Sequence, residues 1–200
     1  MRKIVVLYDP ALPYEGIRPD ERTLDMLRER FTVTDAEGLG LALKDADAYV
    51  HLHGSYFPKG GWQHILSFAR AGKGMLVMGG VPFRRPAYRE GGTWQAEPEQ
   101  TAYHQQLFIH EALRVETDRV NRLAHNPDLP LFRDRELLFA IEPTYGLVLH
   151  VTRTDDSPGE LGSSGPMDAH IYPLLRGIGG GEGTERELAA PAVLLEHTKG

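Results

Sequence analysis

Two histidines, His51 and His53, stand two places apart in the run Ala48-Tyr49-Val50-His51-Leu52-His53. On a strand that spacing puts both rings on one face. Two imidazoles on one face can begin a metal site, with His104, His110 or Asp9 required as a third ligand. The competing reading is a packed His51 and a rim His53 hydrogen-bonded to a loop. It weighs more, because no motif of the H-E-x-x-H kind accompanies the pair. Gly79-Gly80 precedes Arg84-Arg85, and free backbone donors beside guanidinium forks suit a phosphate or a carboxylate. Against this, arginines of an acidic chain usually pair with local carboxylates such as Glu90, or with a neighbouring domain. Asp155, Asp156 and Glu160 could form a glycosidase carboxylate pair, but they sit in a Gly/Ser-rich segment where acids are normally solvated. Trp62 and Trp94 carry faces on which sugar rings stack. Trp62 opens a helix and reads as core, whereas Trp94 lies in a Gly-flanked hairpin and reads as exposed.

Several chemistries are excluded outright. With no cysteine among 200 residues, there is no thiolate zinc site, disulfide scaffold or cysteine nucleophile. A net charge of −6 argues against nucleic acid, which calls for a basic stripe. The apolar run Ile4-Val5-Val6-Leu7 is too short for a signal peptide. No stretch approaches the roughly 18 apolar residues of a membrane span. A soluble, cytoplasmic protein is the expectation. Gly179-Gly180-Gly181-Glu182-Gly183 lacks the Lys-Ser/Thr ending of a phosphate loop, and Gly177–Gly183 reads as a flexible run.

The elements that must position these groups are legible over residues 1–80. Apolar strands are predicted at Ile4–Tyr8, Ala48–His53 and Gly74–Met78, with a short one at Thr32–Thr34. Helices are predicted at Arg18–Phe31 and Trp62–Ala71, with a helical turn at Leu39–Leu43. Strands alternating with helices make βαβ units, hence an open, doubly wound, mostly parallel α/β sheet. After Val81 the rhythm breaks into a loop-rich insertion at residues 81–137 of a single 200-residue domain. Within and beyond it the sequence predicts a hairpin around Gly91-Gly92, a helix at Glu97–Val115 and a Leu138–Ile141 to Leu147–Thr152 hairpin. A last strand is predicted at Pro191–Glu196. That strand runs into His197-Thr198-Lys199-Gly200 with no partner after it, which suggests a fragment of a longer protein. Phe83, Tyr88, Trp94, Phe108 and Phe132 would then present an association surface, making a homo-oligomer one of the expected partners.

Ligands of open α/β sheets bind at the carboxyl ends of the strands, near the switch in strand order. The ligand-binding candidates there are Asp9, His53, Ser55, Gly79, Gly80, Arg84 and Arg85, with His104 reaching over from the insertion.

Residues 1–80 also resemble the class I glutamine amidotransferase-like superfamily, which includes ThuA-like proteins and amidotransferase-like domains of bacterial glycoside hydrolases. The resemblance rests on Asp47-Ala48-Tyr49-Val50-His51-Leu52-His53-Gly54 and on Ile65-Leu66-Ser67-Phe68-Ala69-Arg70-Ala71-Gly72-Lys73-Gly74-Met75-Leu76-Val77-Met78-Gly79-Gly80. It implies a flavodoxin-like, amidotransferase-like sheet. In true amidotransferases a cysteine stands on the turn after the strand equivalent to Gly74–Met78. Here that turn is Gly79-Gly80-Val81-Pro82, and no Cys, Ser or Thr lies between Met78 and Arg89. The resemblance therefore implies the scaffold without its chemistry. The expected role is a non-catalytic domain, without metal or cofactor, in a larger carbohydrate-active bacterial protein. Its partners would be neighbouring domains of the same chain and a carbohydrate ligand. The alternative is a stand-alone ThuA-like protein that binds or processes sugar in the cleft.

Overall fold

A computed structural model describes residues 2–15, 18–107, 109–115, 120–129, 146–151, 169–180 and 183–197. The expected strand Leu138–Ile141, the segment holding Asp155, Asp156 and Glu160, and the aromatic residues Phe108 and Phe132 lie outside them. The chain forms two compact units, Met1–Leu107 and Phe108–Thr198. The sequence predicts one domain with an insertion at residues 81–137; the two units divide inside that insertion, and residues 85–96 form strands of the first.

The first unit runs β1 (Ile4–Leu7), α1 (Glu21–Arg30), β2 (Thr32–Thr34), α2 (Leu39–Lys44), β3 (Ala48–His51), β4 (Tyr56–Pro58), α3 (Trp62–Arg70), β5 (Gly74–Val77), β6 (Arg85–Glu90) and β7 (Thr93–Ala96). Strands β2, β1, β3 and β5 form one sheet in that order, with every pair parallel. Period-2 alternation splits their side chains between two faces. Val5, Leu7 and Tyr49 face Leu39 and Leu43 of α2 and Trp62, Ile65 and Leu66 of α3, and together they form the core. Full burial of a side chain such as Ile65 or Phe57 contributes about 1.5–3 kcal/mol. On the opposite face Val6 and Leu24 are buried and α1 packs along β2, but Leu76 and Met78 are 54% and 44% exposed. Helical cover on that face stops short of the β5 edge.

Local signals explain the helix ends. The Asp20 carboxylate accepts the Thr23 N–H at 2.8 Å and caps α1, with Glu21 in the first turn and Arg28 and Arg30 in the last. Strand β6 pairs in parallel with β4 and antiparallel with β7. The two-residue β6–β7 turn is Gly91-Gly92, at φ +57° and +83°, where residues with a Cβ are strained.

The second unit contains β8 (Ile109–Val115), β9 (Val120–His125), β10 (Gly146–Val151), β11 (Ala169–Gly179) and β12 (Arg186–His197). β8 pairs with β10, and β9, β11 and β12 form an antiparallel sheet. Several expectations are corrected here. The helix predicted over Glu97–Val115 is the short 3-10 turn His104–Leu107 followed by β8. Strand β9 lies inside the expected loop-rich insertion at 81–137, and Gly177 and Gly179 lie in β11 rather than in a flexible run. The final strand pairs with β11, which precedes it in the chain, from Ala169↔His197 onward.

Candidate functional site

The sheet order places the topological switch between β1 and β3, so the crevice where ligands enter such sheets lies between the loops that leave these strands. His53 fills it. Its Nε2 accepts the Asp9 backbone N–H at 3.1 Å, and its Nδ1 lies 3.1 Å from the Pro13 carbonyl oxygen. A carbonyl only accepts, so Nδ1 carries the proton and the ring is neutral. Burial depresses its pKa, against the opposing pull of the Pro13 carbonyl and of Asp9. Tyr14 stacks edge-on against it with ring centroids 4.9 Å apart, and burial raises the Tyr14 phenol to about 12.

One layer below, His51 is completely buried. Its Nε2 donates to the Tyr56 carbonyl at 2.8 Å, and its Nδ1 accepts from the Tyr49 hydroxyl at 2.7 Å. Burial, followed by the proximity of His53, lowers its pKa to about 3. Both nitrogens of each ring are thus engaged by protein atoms, and the pair offers no lone pair to an ion. Among the described residues no group of three or more potential metal ligands gathers.

The loop after β5 closes over the same end of the sheet. Gly79 and Gly80 adopt φ +81° and +41°. A Cβ at Gly80 would strike the Glu15 carboxylate and the Ser55 hydroxyl, and one at Gly54 would lie 2.7 Å from the Glu15 carbonyl oxygen. The loop is then pinned by Phe83, a non-glycine at φ +54°. Such a conformation costs about 1–3 kcal/mol. Complete burial of the ring offsets it, against Trp62 at 5.4 Å, Phe57 at 5.7 Å and His51 at 5.0 Å. Phe83 therefore belongs to the core, not to the exposed association surface that the sequence predicts.

Arg84 and Arg85 both reach one carboxylate. Arg84 Nε is 3.1 Å from Glu99 Oε2, while Arg85 donates to Glu99 Oε1 through Nε and Nη2. Arg85 Nη1 also donates to the Tyr56 hydroxyl at 2.9 Å. Local pairing thus occurs as weighed from the sequence, but the partner is Glu99, which the chain carries back alongside Arg84 through Gln100 N–H to Arg84 O. The Arg85 hydrogen bonds hold the Glu99 carboxyl below its usual range. Arg89 spans the neighbouring edge. It pairs with Glu37, lies 3.8 Å from the buried Asp9 carboxylate and sits over the Trp94 ring at 5.2 Å.

Asp9, His53, Ser55, Gly79 and Gly80 therefore meet at one end of the sheet, and the Arg85 N–H donates to the Ser55 carbonyl to bring the arginines alongside. His104 is 1% exposed, enclosed within its 3-10 turn, and His53, expected at a rim, is completely buried because both ring nitrogens are bonded to the loop after β1. The sequence reading missed Tyr14, Glu15, Tyr56, Arg89 and Glu99. Only the Pro13-Tyr14-Glu15 stretch beside Asp9 offered a local hint. A cavity of about 560 Å3 opens elsewhere, between α1 and β2, lined by Tyr8, Arg28, Phe31, Val33, Thr34 and Asp35. No helix among the described residues is long and apolar enough to cross a membrane. Comparison of the chain with protein-family models, with curated proteins and with solved structures finds no match.

Proposed function

We propose that Met1–Leu107 is a non-catalytic, amidotransferase-like α/β domain, flavodoxin-like in plan, that acts as a structural or ligand-rim element of a larger carbohydrate-active bacterial protein. The observation that carries this reading is the turn after β5. Its backbone at Gly80 is pressed onto Glu15 and Ser55, so a side chain there would collide with both. A side chain there enters only if the Glu15 and Ser55 side chains move aside and the backbone accepts φ +41°, so the place where a scaffold of this kind would present a nucleophile disfavours one. The residues around it agree. His53 is neutral and bonded to two backbone groups, and His51 is sealed beneath Phe83. Neither is poised to take a proton from a nucleophile, which requires a base within hydrogen-bond reach of it and titrating near the working pH.

The test is hydrolysis. Purified protein should turn over neither glutamine nor activated esters above buffer, and Ser55→Ala should change nothing. Turnover abolished by Ser55→Ala or by a substitution in Gly79–Val81 would overturn the proposal.

A further inference from the structure

We propose that Arg84 and Arg85 form a binding site for a small dianionic oxyanion, a phosphoryl group, which Glu99 occupies in cis in the free protein. The geometry is that of an anion gripped by the Arg85 fork with a second guanidinium, Arg84, beside it and a donor to spare. Arg85 donates to Glu99 Oε1 through Nε and Nη2, while Arg84 Nε lies 3.1 Å from Oε2 as an ion pair whose N–H is buried without a hydrogen-bond acceptor. Guanidinium forks grip phosphate as well as carboxylate.

The clamp is built before any ligand arrives. The Arg85 backbone N–H is fixed to the Ser55 carbonyl at 2.9 Å, and its guanidinium is held by the Tyr56 hydroxyl and lies 5.4 Å from the Tyr56 ring centroid. Arg84 follows directly on the buried, left-handed Phe83, which fixes where its side chain starts. Preorganised donors lower the ordering cost of binding.

Charge and access point the same way. One carboxylate facing two guanidiniums leaves a positive charge uncompensated, and a dianion would neutralise both. The side chains of Arg84, Arg85 and Glu99 are 31%, 37% and 41% exposed, so water and a small ligand reach them. The location also fits, beside Ser55 at the carboxyl end of the parallel sheet, where ligands of open α/β sheets bind. Glu99 comes from a separate segment, tied by Gln100 N–H to the Arg84 carbonyl, so its carboxylate can swing off while the backbone stays in place.

The experiment is a titration of wild type and Glu99→Gln with inorganic phosphate at pH 7.5 and low salt, followed by calorimetry or NMR shifts. An internal competitor lowers apparent affinity by the fraction of time it occupies the site, so E99Q should bind phosphate about 10-fold tighter than wild type or better. Adding Arg84→Gln to E99Q should return binding to the wild-type level or below. Acetate at matched ionic strength should bind far more weakly than phosphate. Equal phosphate affinity in wild type and E99Q, or in E99Q with and without Arg84, would overturn the site. Acetate binding as well as phosphate would overturn its preference for a dianion. Should E99Q not fold, the wild-type chain decides. Phosphate should raise its Tm by mass action and should not do so in Arg84→Gln or Arg85→Gln; a rise that persists in those variants, or no rise in wild type, refutes the site. Because the readout is binding, its failure leaves the non-catalytic reading standing, and turnover in the hydrolysis assay leaves this site standing.

Discussion

Lowering the pH from 7.5 to 5.0 should destabilise the first unit through His51 before any carboxylate contributes. In the unfolded chain a histidine titrates near 6.5. In the folded protein His51 is completely buried, its Nδ1 taken by the Tyr49 hydroxyl and its Nε2 proton by the Tyr56 carbonyl, and its pKa falls to about 3. A depressed histidine stabilises the fold fully above the unfolded value, and the stabilisation drains away as pH falls from 6.5 towards 3. Between pH 7.5 and 5.0 linkage gives a loss of about 2 kcal/mol from His51 alone. His53, also depressed, adds to it in the same direction. The carboxylates held low by partners, Glu97 and Glu99 among them, release their contribution only below the ordinary carboxylate range, about 4.5. The window from pH 6.5 to 5 thus isolates the histidines. Urea unfolding followed by tryptophan fluorescence is the assay, because the two tryptophans of the chain, Trp62 and Trp94, both lie in this unit. His51→Gln keeps an acceptor and a donor but cannot titrate. It should cost about 1–3 kcal/mol at pH 7.5 from imperfect hydrogen bonds, yet lose about 2 kcal/mol less than wild type on acidification. An identical acid loss in wild type and His51→Gln would refute the reasoning.

Gly80→Ala should destabilise the unit by about 2 kcal/mol or more, since φ +41° is strained for alanine and its Cβ meets Glu15 and Ser55. Gly60→Ala, with nothing near its Cβ and no positive φ, should leave Tm within a few degrees, and equal effects at the two sites would contradict the packing described. Chelator should not shift the Tm of purified protein, because both nitrogens of His51 and His53 are occupied by protein groups; a drop in Tm that added zinc reverses would show otherwise.

What was legible in the sequence was what local pattern determines. Ile4–Leu7, Ala48–His51 and Gly74–Val77 are strands because apolar runs bounded by turns have few other solutions, and Gly91-Gly92 makes its hairpin because glycine takes the positive φ of both turn positions without strain. Residues 97–115 misled because Leu107, Ile109 and Leu113 are spaced by 2 and 4, which fits a strand as well as a helix. Gly177 and Gly179 looked like part of a loop because glycine weakens strands. The pairing of β11 with β12 instead absorbs them with shifts of register at Leu175/Gly177 and Gly177/Ile178. At the site, residue types were readable and partners were not. His53 bonds to groups 40 and 44 residues away in the chain, and Arg85 finds Glu99 across 14. Nothing periodic links such positions, and the two histidines that could have begun a metal site are bolts instead, His53 between the loops after β1 and β3 and His51 between β3 and β4.

Those bolts are the centre of the account, and imidazole tautomers report on them directly. Long-range 15N–1H correlation spectra of 15N-histidine-labelled protein at pH 6 should show two neutral rings of opposite kind. His51 should carry its proton on Nε2 and His53 on Nδ1, assigned by loss of each signal in His51→Gln and His53→Gln. A charged imidazolium at either position at that pH, or the two tautomers reversed, would contradict the hydrogen bonding that holds this end of the sheet.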